Sequence, residues 1–201
     1  MKLTLSGLVL LVSFTLSAQN KIPSAEWQIK TASMAVPAEY SEGAKVYGYD
    51  SYGKFTVLRE GTNQFICLAD DPNKDGFQTA AYHKDLDIFM ARGRELKAQG
   101  MGSQEIFDTR EEEVKNGTLE MPARGTLIVF NGTLNEQTKE IENQRTRYVV
   151  YIPFATPETT GLPAKPMAKG HPWIMNPGTH RAHIMITPTY PKLNESTKQQ
   201  E

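Results

Sequence analysis

The chain has one cysteine, Cys67, among 201 residues. A single thiol allows no intrachain disulfide, so the fold has to be held by its core. After residue 18 no apolar run approaches the roughly 20 residues that a membrane-spanning helix requires. An excess of one charge is also missing: 22 Lys and Arg stand against 23 Asp and Glu, a formal net charge of -1. Long-range attraction to nucleic acid or to an anionic lipid surface is therefore not expected. The chain also lacks a Gly-x-Ser-x-Gly elbow, a Gly-rich phosphate loop and a His-Glu-x-x-His pair, which removes the commonest hydrolase, nucleotide and zinc-protease signatures.

What is present begins with an address. Lys2, the apolar residues Leu8, Val9, Leu10, Leu11, Val12 and Phe14, and the small pair Ser17-Ala18 form the pattern of a secretory signal peptide over residues 1–18. The expectation is a soluble protein exported to the periplasm or the exterior. No Cys follows the pattern closely enough for lipid attachment, so no membrane anchor is expected. Residues 19–191 are the size of one domain, large enough for a core without staples, and 192–201 read as a polar disordered tail.

Along the domain, Trp27, Ile29 and Met34 with Ser24 as N-cap and Pro37 beyond predict a short helix. Period-two alternation around Val46–Tyr49, Phe55–Leu58 and Phe65–Ala69 predicts three strands. The turn-forming links Asp50–Gly53 and Glu60–Asn63 make them an antiparallel meander. Leu86, Phe89, Met90, Gly93 and Leu96 predict an amphipathic helix closed at Gly100. A second runs from a Ser103 cap to Asn116-Gly117, with Ile106, Phe107, Arg110 and Val114 inward and Glu111 to Glu113 toward solvent. Strands at 126–130 and 148–154, separated by a polar segment, and a last strand at 182–187 complete the list.

The expected architecture is a single α+β domain: a mainly antiparallel sheet of about six strands with two or three helices packed on one face. Two strands, helices and three more strands, as in sensor folds of the PAS or profilin type, are one way to wire it. Eight of the twelve prolines lie between 153 and 191, which predicts a stiff loop system before the last strand.

That loop carries the densest chemistry. Three of the four histidines fall between Gly170 and Pro188, with Trp173 and Arg181 among them. The expected ligand-binding residues are His171, Trp173, His180, Arg181 and His183: Arg181 forks onto a carboxylate or phosphate, a His adds a donor, and Trp173 with Tyr47, Tyr49 and Tyr148 walls the pocket. The same residues carry two alternatives. One is a small hydrolase using His180 or His183 as general base. The other is a metal protein, with Met175 and Met185 joining His171, His180 and His183 around copper. Strand geometry opposes the latter, because residues three apart on a strand point to opposite faces.

Asp71-Pro-Asn73-Lys-Asp75-Gly76 matches the first half of a calcium loop, with oxygen donors at positions one, three and five. Its twelfth position is Tyr82 instead of a bidentate Glu, and the same residues build an ordinary turn. Cys67 with a His base would make a nucleophile, whereas its alternation with Phe65 and Ala69 predicts a buried, inert thiol. His83 with Asp85 and Asp87 is an acid/base candidate or an ordinary first helical turn. Glycosylation patterns occur at Asn116, Asn131 and Asn194.

Leu58-Arg-Glu-Gly-Thr-Asn63, Cys67-Leu-Ala-Asp-Asp71, Tyr82-His-Lys84, Trp173-Ile-Met175 and His180-Arg-Ala-His-Ile-Met185 together resemble a group of secreted bacterial proteins of uncharacterised activity. The resemblance spans nearly the whole mature chain and implies no ligand or catalytic residue. It does imply that relatives carry a Cys where this chain has Ala81, so that a Cys67 disulfide open to them is closed to this protein.

Overall fold

The computed structural model describes residues 22–189. The signal-peptide pattern and the 192–201 tail lie outside the described residues. An eight-stranded mixed sheet runs through the domain in the order β2-β1-β3-β4-β5-β6-β8-β7.

Helix α1 (Ala25–Ala32) starts where the composition places it, since the Ser24 hydroxyl accepts the Trp27 N–H at 3.2 Å. Its buried Gln28 docks the helix on strand β1 (Lys45–Tyr49): the side-chain amide donates to Tyr49 O at 2.8 Å and its oxygen accepts Tyr49 N–H at 2.8 Å. A 3-10 turn (Ser33–Ala35) and the one-turn helix α2 (Ala38–Ser41) lead into β1. Strand β2 (Phe55–Arg59) returns antiparallel through the expected turn, with Gly53 at φ +80°.

The meander ends there. Strand β3 (Phe65–Leu68) pairs parallel with β1 and not with β2. The link from β2 passes beneath the start of β1, pinned by Thr62 and Asn63 N–H donating to Gly43 O at 2.8 and 3.0 Å. Gly61 makes the crossing possible, because a Cβ there would meet Lys45 N at 2.5 Å.

Strand β4 (Phe77–His83), in a stretch to which the sequence pattern assigns no element, lies near the middle of the sheet between β3 and β5 (Gly125–Leu134). Its inward residues Phe77, Thr79 and Ala81 are buried, but small and polar neighbours hide the alternation. Cys67 sits directly opposite Ala81 in the β3–β4 register. A 3-10 turn (Lys84–Leu86), α3 (Asp87–Ala98) and α4 (Ser103–Lys115) follow; Gly100 and Gly117 close the helices at φ +89° and +79°. The residue in the capping position of α4 is Gly102, one before Ser103; its N–H is accepted by Glu105 at 3.2 Å.

The polar segment expected to separate two strands is itself the far part of a long hairpin, β5 with β6 (Ile141–Tyr151), bulged between Asn131 and Thr133. A one-turn helix α5 (Pro157–Thr160) and the short edge strand β7 (Trp173–Met175) interrupt the Pro-rich stretch, and β8 (His183–Ile186) pairs with both β6 and β7. Four strands precede α3 and four follow α4, so the two-then-three wiring does not apply.

The helices cover both faces, not one. Val46, Cys67, Ala81 and Phe130 pack with Ala32 and Trp27 of α1 on the first face. Ile66, Tyr82, Val149, Tyr151 and Met185 pack with Leu86 of the 3-10 turn and Met90 of α3 on the second. Strand pleating explains the split, since neighbouring residues on each strand serve opposite cores. Among the described residues no helix is long and apolar enough to cross a membrane.

Candidate functional site

The turn before β8 is built by Asn176-Pro-Gly178. Asn176 and Gly178 take φ of +52° and +76°, the Thr179 hydroxyl donates to Asn176 O at 2.8 Å, and Ala182 N–H returns to Thr179 O at 3.0 Å. Phe154 N–H to Thr179 O (2.7 Å) and Ile152 N–H to Ala182 O (2.9 Å) fasten the turn to the chain leaving β6. The regular strand therefore begins only at His183, and the alternation that should separate His180 from His183 does not reach back to residue 180. Both rings lie on the side of α3 and α4.

They enter one ladder of rings. His180 packs against Phe107 of α4 (centroids 4.8 Å) and Phe89 of α3 (5.6 Å); Phe89 meets Tyr151 of β6 (6.2 Å), which meets His183 (5.4 Å). Both imidazoles are buried. His180 Nδ1 lies 3.2 Å from a Glu111 carboxylate oxygen, and His183 Nδ1 donates to Arg181 O at 2.6 Å. Burial lowers the pKa of each, opposed by Glu111 for His180 and by the Arg181 carbonyl for His183. Both are thus neutral near pH 7, with the proton on Nδ1, and His180 Nε2 is buried without a hydrogen-bond partner.

Two guanidiniums share this region. Arg110, buried on α4, lies over the Phe89 ring at 4.2 Å and donates from Nη1 to Phe89 O at 3.2 Å. Arg181 lies over the Phe107 ring at 5.6 Å and is within hydrogen-bonding influence of the Tyr151 hydroxyl. Burial and the Arg181 charge push the Arg110 pKa down to about 10. Glu111 faces His180 instead of solvent, and Lys115 (2.5 Å) and His180 hold its carboxyl below the usual range. Glu113, also expected outside, is engaged by Arg92 Nε at 3.0 Å.

The predicted ligand set is divided. His180, Arg181 and His183 belong to this buried cluster, whereas His171 and Trp173 line a separate cavity of about 430 Å³ with Lys169 and Thr187. Met175 is partly exposed and Met185 sits in the core, so the copper set does not converge. Asp71 Oδ1 accepts Asn73 N–H at 3.1 Å and Oδ2 faces Lys74 at 3.5 Å, the geometry of a turn closed on itself, with Asp75 exposed. Among the described residues no three His, Cys, Asp or Glu side chains are placed to hold a metal ion. Cys67 is fully buried, and burial pushes its thiol up to about 12, as suits an inert core residue. Asp85 N–H donates to His83 Nδ1 at 3.3 Å in the first turn after β4.

A larger cavity, about 580 Å³, opens between the second face of the sheet and the C-terminal half of α3. Tyr49, Phe55 and Leu68 form its wall, Asp70 and Asp71 one rim, Arg94 and Lys97 the other. Arg94 is held in place by Tyr82 Oη at 2.9 Å and Asp87 at 3.0 Å, with its guanidinium over the Tyr47 and Phe55 rings. Burial raises the Asp70 pKa although its Oδ1 accepts Gln78 N–H at 2.8 Å, and burial with the Asp71 charge pushes Tyr49 up to about 12. Of the expected aromatic wall only Tyr49 lines this cavity; Tyr148 is exposed at the surface.

The sequence reading missed Arg110, Glu111 and Tyr151. One signal was available: a basic residue inside the apolar stripe of α4 has to be buried with something that compensates it. The fold and these sites define a single-domain α+β protein with an amphipathic cavity on one sheet face and a polar cluster beneath the last strand. No family model, curated protein or solved structure matches the chain.

Proposed function

We propose that this is an exported small-ligand-binding protein, and that the ligand seats in the cavity between the sheet and α3, away from the 170–183 loop. The observation that carries this reading is one concave space of about 580 Å³ joining an aromatic wall, Tyr49 and Phe55, to opposed acidic and basic rims. That volume lies within the roughly 300–1,000 Å³ range of small-molecule sites. An amphipathic ligand carrying both charges, such as a free amino acid with an apolar side chain, matches the lining. Its carboxylate would meet Arg94 and Lys97, its ammonium Asp70 and Asp71. Export rests on the 1–18 pattern and on the resemblance to secreted bacterial proteins.

The enzyme reading draws on the Glu111–His180 pair, which orients an imidazole as a general base is oriented. Binding is the better reading because His180 is enclosed between Phe89 and Phe107 and has no exposure to a substrate. Calorimetric titration of the full chain with the twenty amino acids tests the proposal. The expected result is saturable binding of an apolar or aromatic amino acid, weakened at least tenfold by Ala98→Trp, which fills the cavity from an exposed helix position. Absence of binding by every amino acid, or binding indifferent to Ala98→Trp, would overturn it.

A further inference from the structure

We propose a second, independent site: the buried Nε–H groups of Arg110 and Arg181, near the turn before β8, bind a small anion of chloride or formate size. The Arg181 charge acts on Arg110, both guanidiniums act on the Tyr151 hydroxyl, and Nε of each is buried without a hydrogen-bond partner. A buried N–H of a charged group that is left without an acceptor is costly even when the rest of the guanidinium is satisfied, and an anion accepting from both Nε–H groups would also offset the repulsion between the two charges. The nearby carboxylates do not supply it directly: Glu111 is engaged by Lys115 and His180, and Glu113 by Arg92. Guanidinium N–H groups are strong, directional donors to anions. The aromatic faces of Phe89 and Phe107 hold the two forks in position. Neither arginine lines the 580 Å³ or the 430 Å³ cavity, so the occupant proposed is a single small ion.

The test uses the full chain at constant ionic strength, exchanging bulky gluconate for chloride. The melting temperature is expected to rise with the logarithm of chloride concentration, as it does for any ligand that binds only the folded state. Formate is expected to substitute for chloride, and Arg181→Met, at a half-buried position, to abolish the dependence. Bromide-soaked crystals are expected to show an anomalous peak within hydrogen-bond reach of Arg181 Nε, a readout that stands even if Arg110→Met fails to fold. Identical melting in chloride and gluconate, as ordinary water at these donors would give, or a chloride dependence retained in Arg181→Met, overturns the site.

Discussion

Arg110 crosses α3 at Gly93. A Cβ at residue 93 would stand 2.8 Å from Arg110 Nη1 and 3.1 Å from Cζ, so the glycine in the middle of that helix is the clearance that lets the guanidinium reach Phe89 O.

Gly93→Ala is therefore expected to destabilise. Alanine gains about 0.5–1 kcal/mol of helix propensity, but overpacking a buried contact costs about 1–3 kcal/mol. Urea denaturation should show a net loss for the single variant, and a smaller one when Gly93→Ala is introduced into an Arg110→Met background. Equal losses in both backgrounds would mean that the two residues are not coupled.

Gly61→Ala should cost more. Its Cβ would meet the backbone N and Cα of Lys45 at 2.5 and 2.9 Å, atoms that cannot swing aside as a side chain can. A loss at or above about 3 kcal/mol is expected, the upper end for overpacking. Thermal melts that match wild type would show that the β2–β3 link does not need to pass so close beneath β1.

Acid should act on this protein before its carboxylates titrate. His180 and His183 both have folded pKa values below the ordinary 6.5 because they are buried. Below pH 6.5 the unfolded chain thus binds protons that the folded chain refuses, and stability falls as pH drops through and below that point. Glu111, held below its ordinary 4.5, adds its loss only at lower pH, while Asp70, raised by burial, works in the opposite sense above its ordinary 3.8. Urea midpoints should decline from pH 7 toward 5 in wild type and less steeply in His183→Asn. A flat profile down to pH 4.5 contradicts the neutral, buried imidazoles.

Ala81→Cys should form a disulfide with Cys67. The two positions face each other across antiparallel strands and both are fully buried. Directly opposed residues have Cα atoms about 4.5–5.5 Å apart, inside the range a disulfide bridges. Thiol titration after oxidation and denaturation should find no free thiol in the variant and one in wild type, with a gain of up to about 3 kcal/mol from the closed loop. Two free thiols in the oxidised variant would argue against this register.

Local chemistry in the chain was enough to place α1 at its Ser24 cap, α3 and α4 by their three-and-four spacing, and β1, β2, β3 and β8 by alternation. It also marked Cys67 as an inert core thiol. These features depend on neighbours within one or two turns. What stayed hidden depends on contacts distant in sequence. The β4 pattern, Gln78-Thr-Ala-Ala81, is too small and polar to read as a central strand until β3 and β5 flank it. The parallel β1–β3 pairing is set by a crossing at Gly61. The pairing of Glu111 with His180 joins residues 69 apart in the chain. The histidine-rich stretch was visible as a concentration of chemistry, but only packing decided that His171 and Trp173 turn to one cavity while His180, Arg181 and His183 turn inward to Arg110. Side-chain periodicity fixes a face within an element; which faces meet is a property of the assembled sheet.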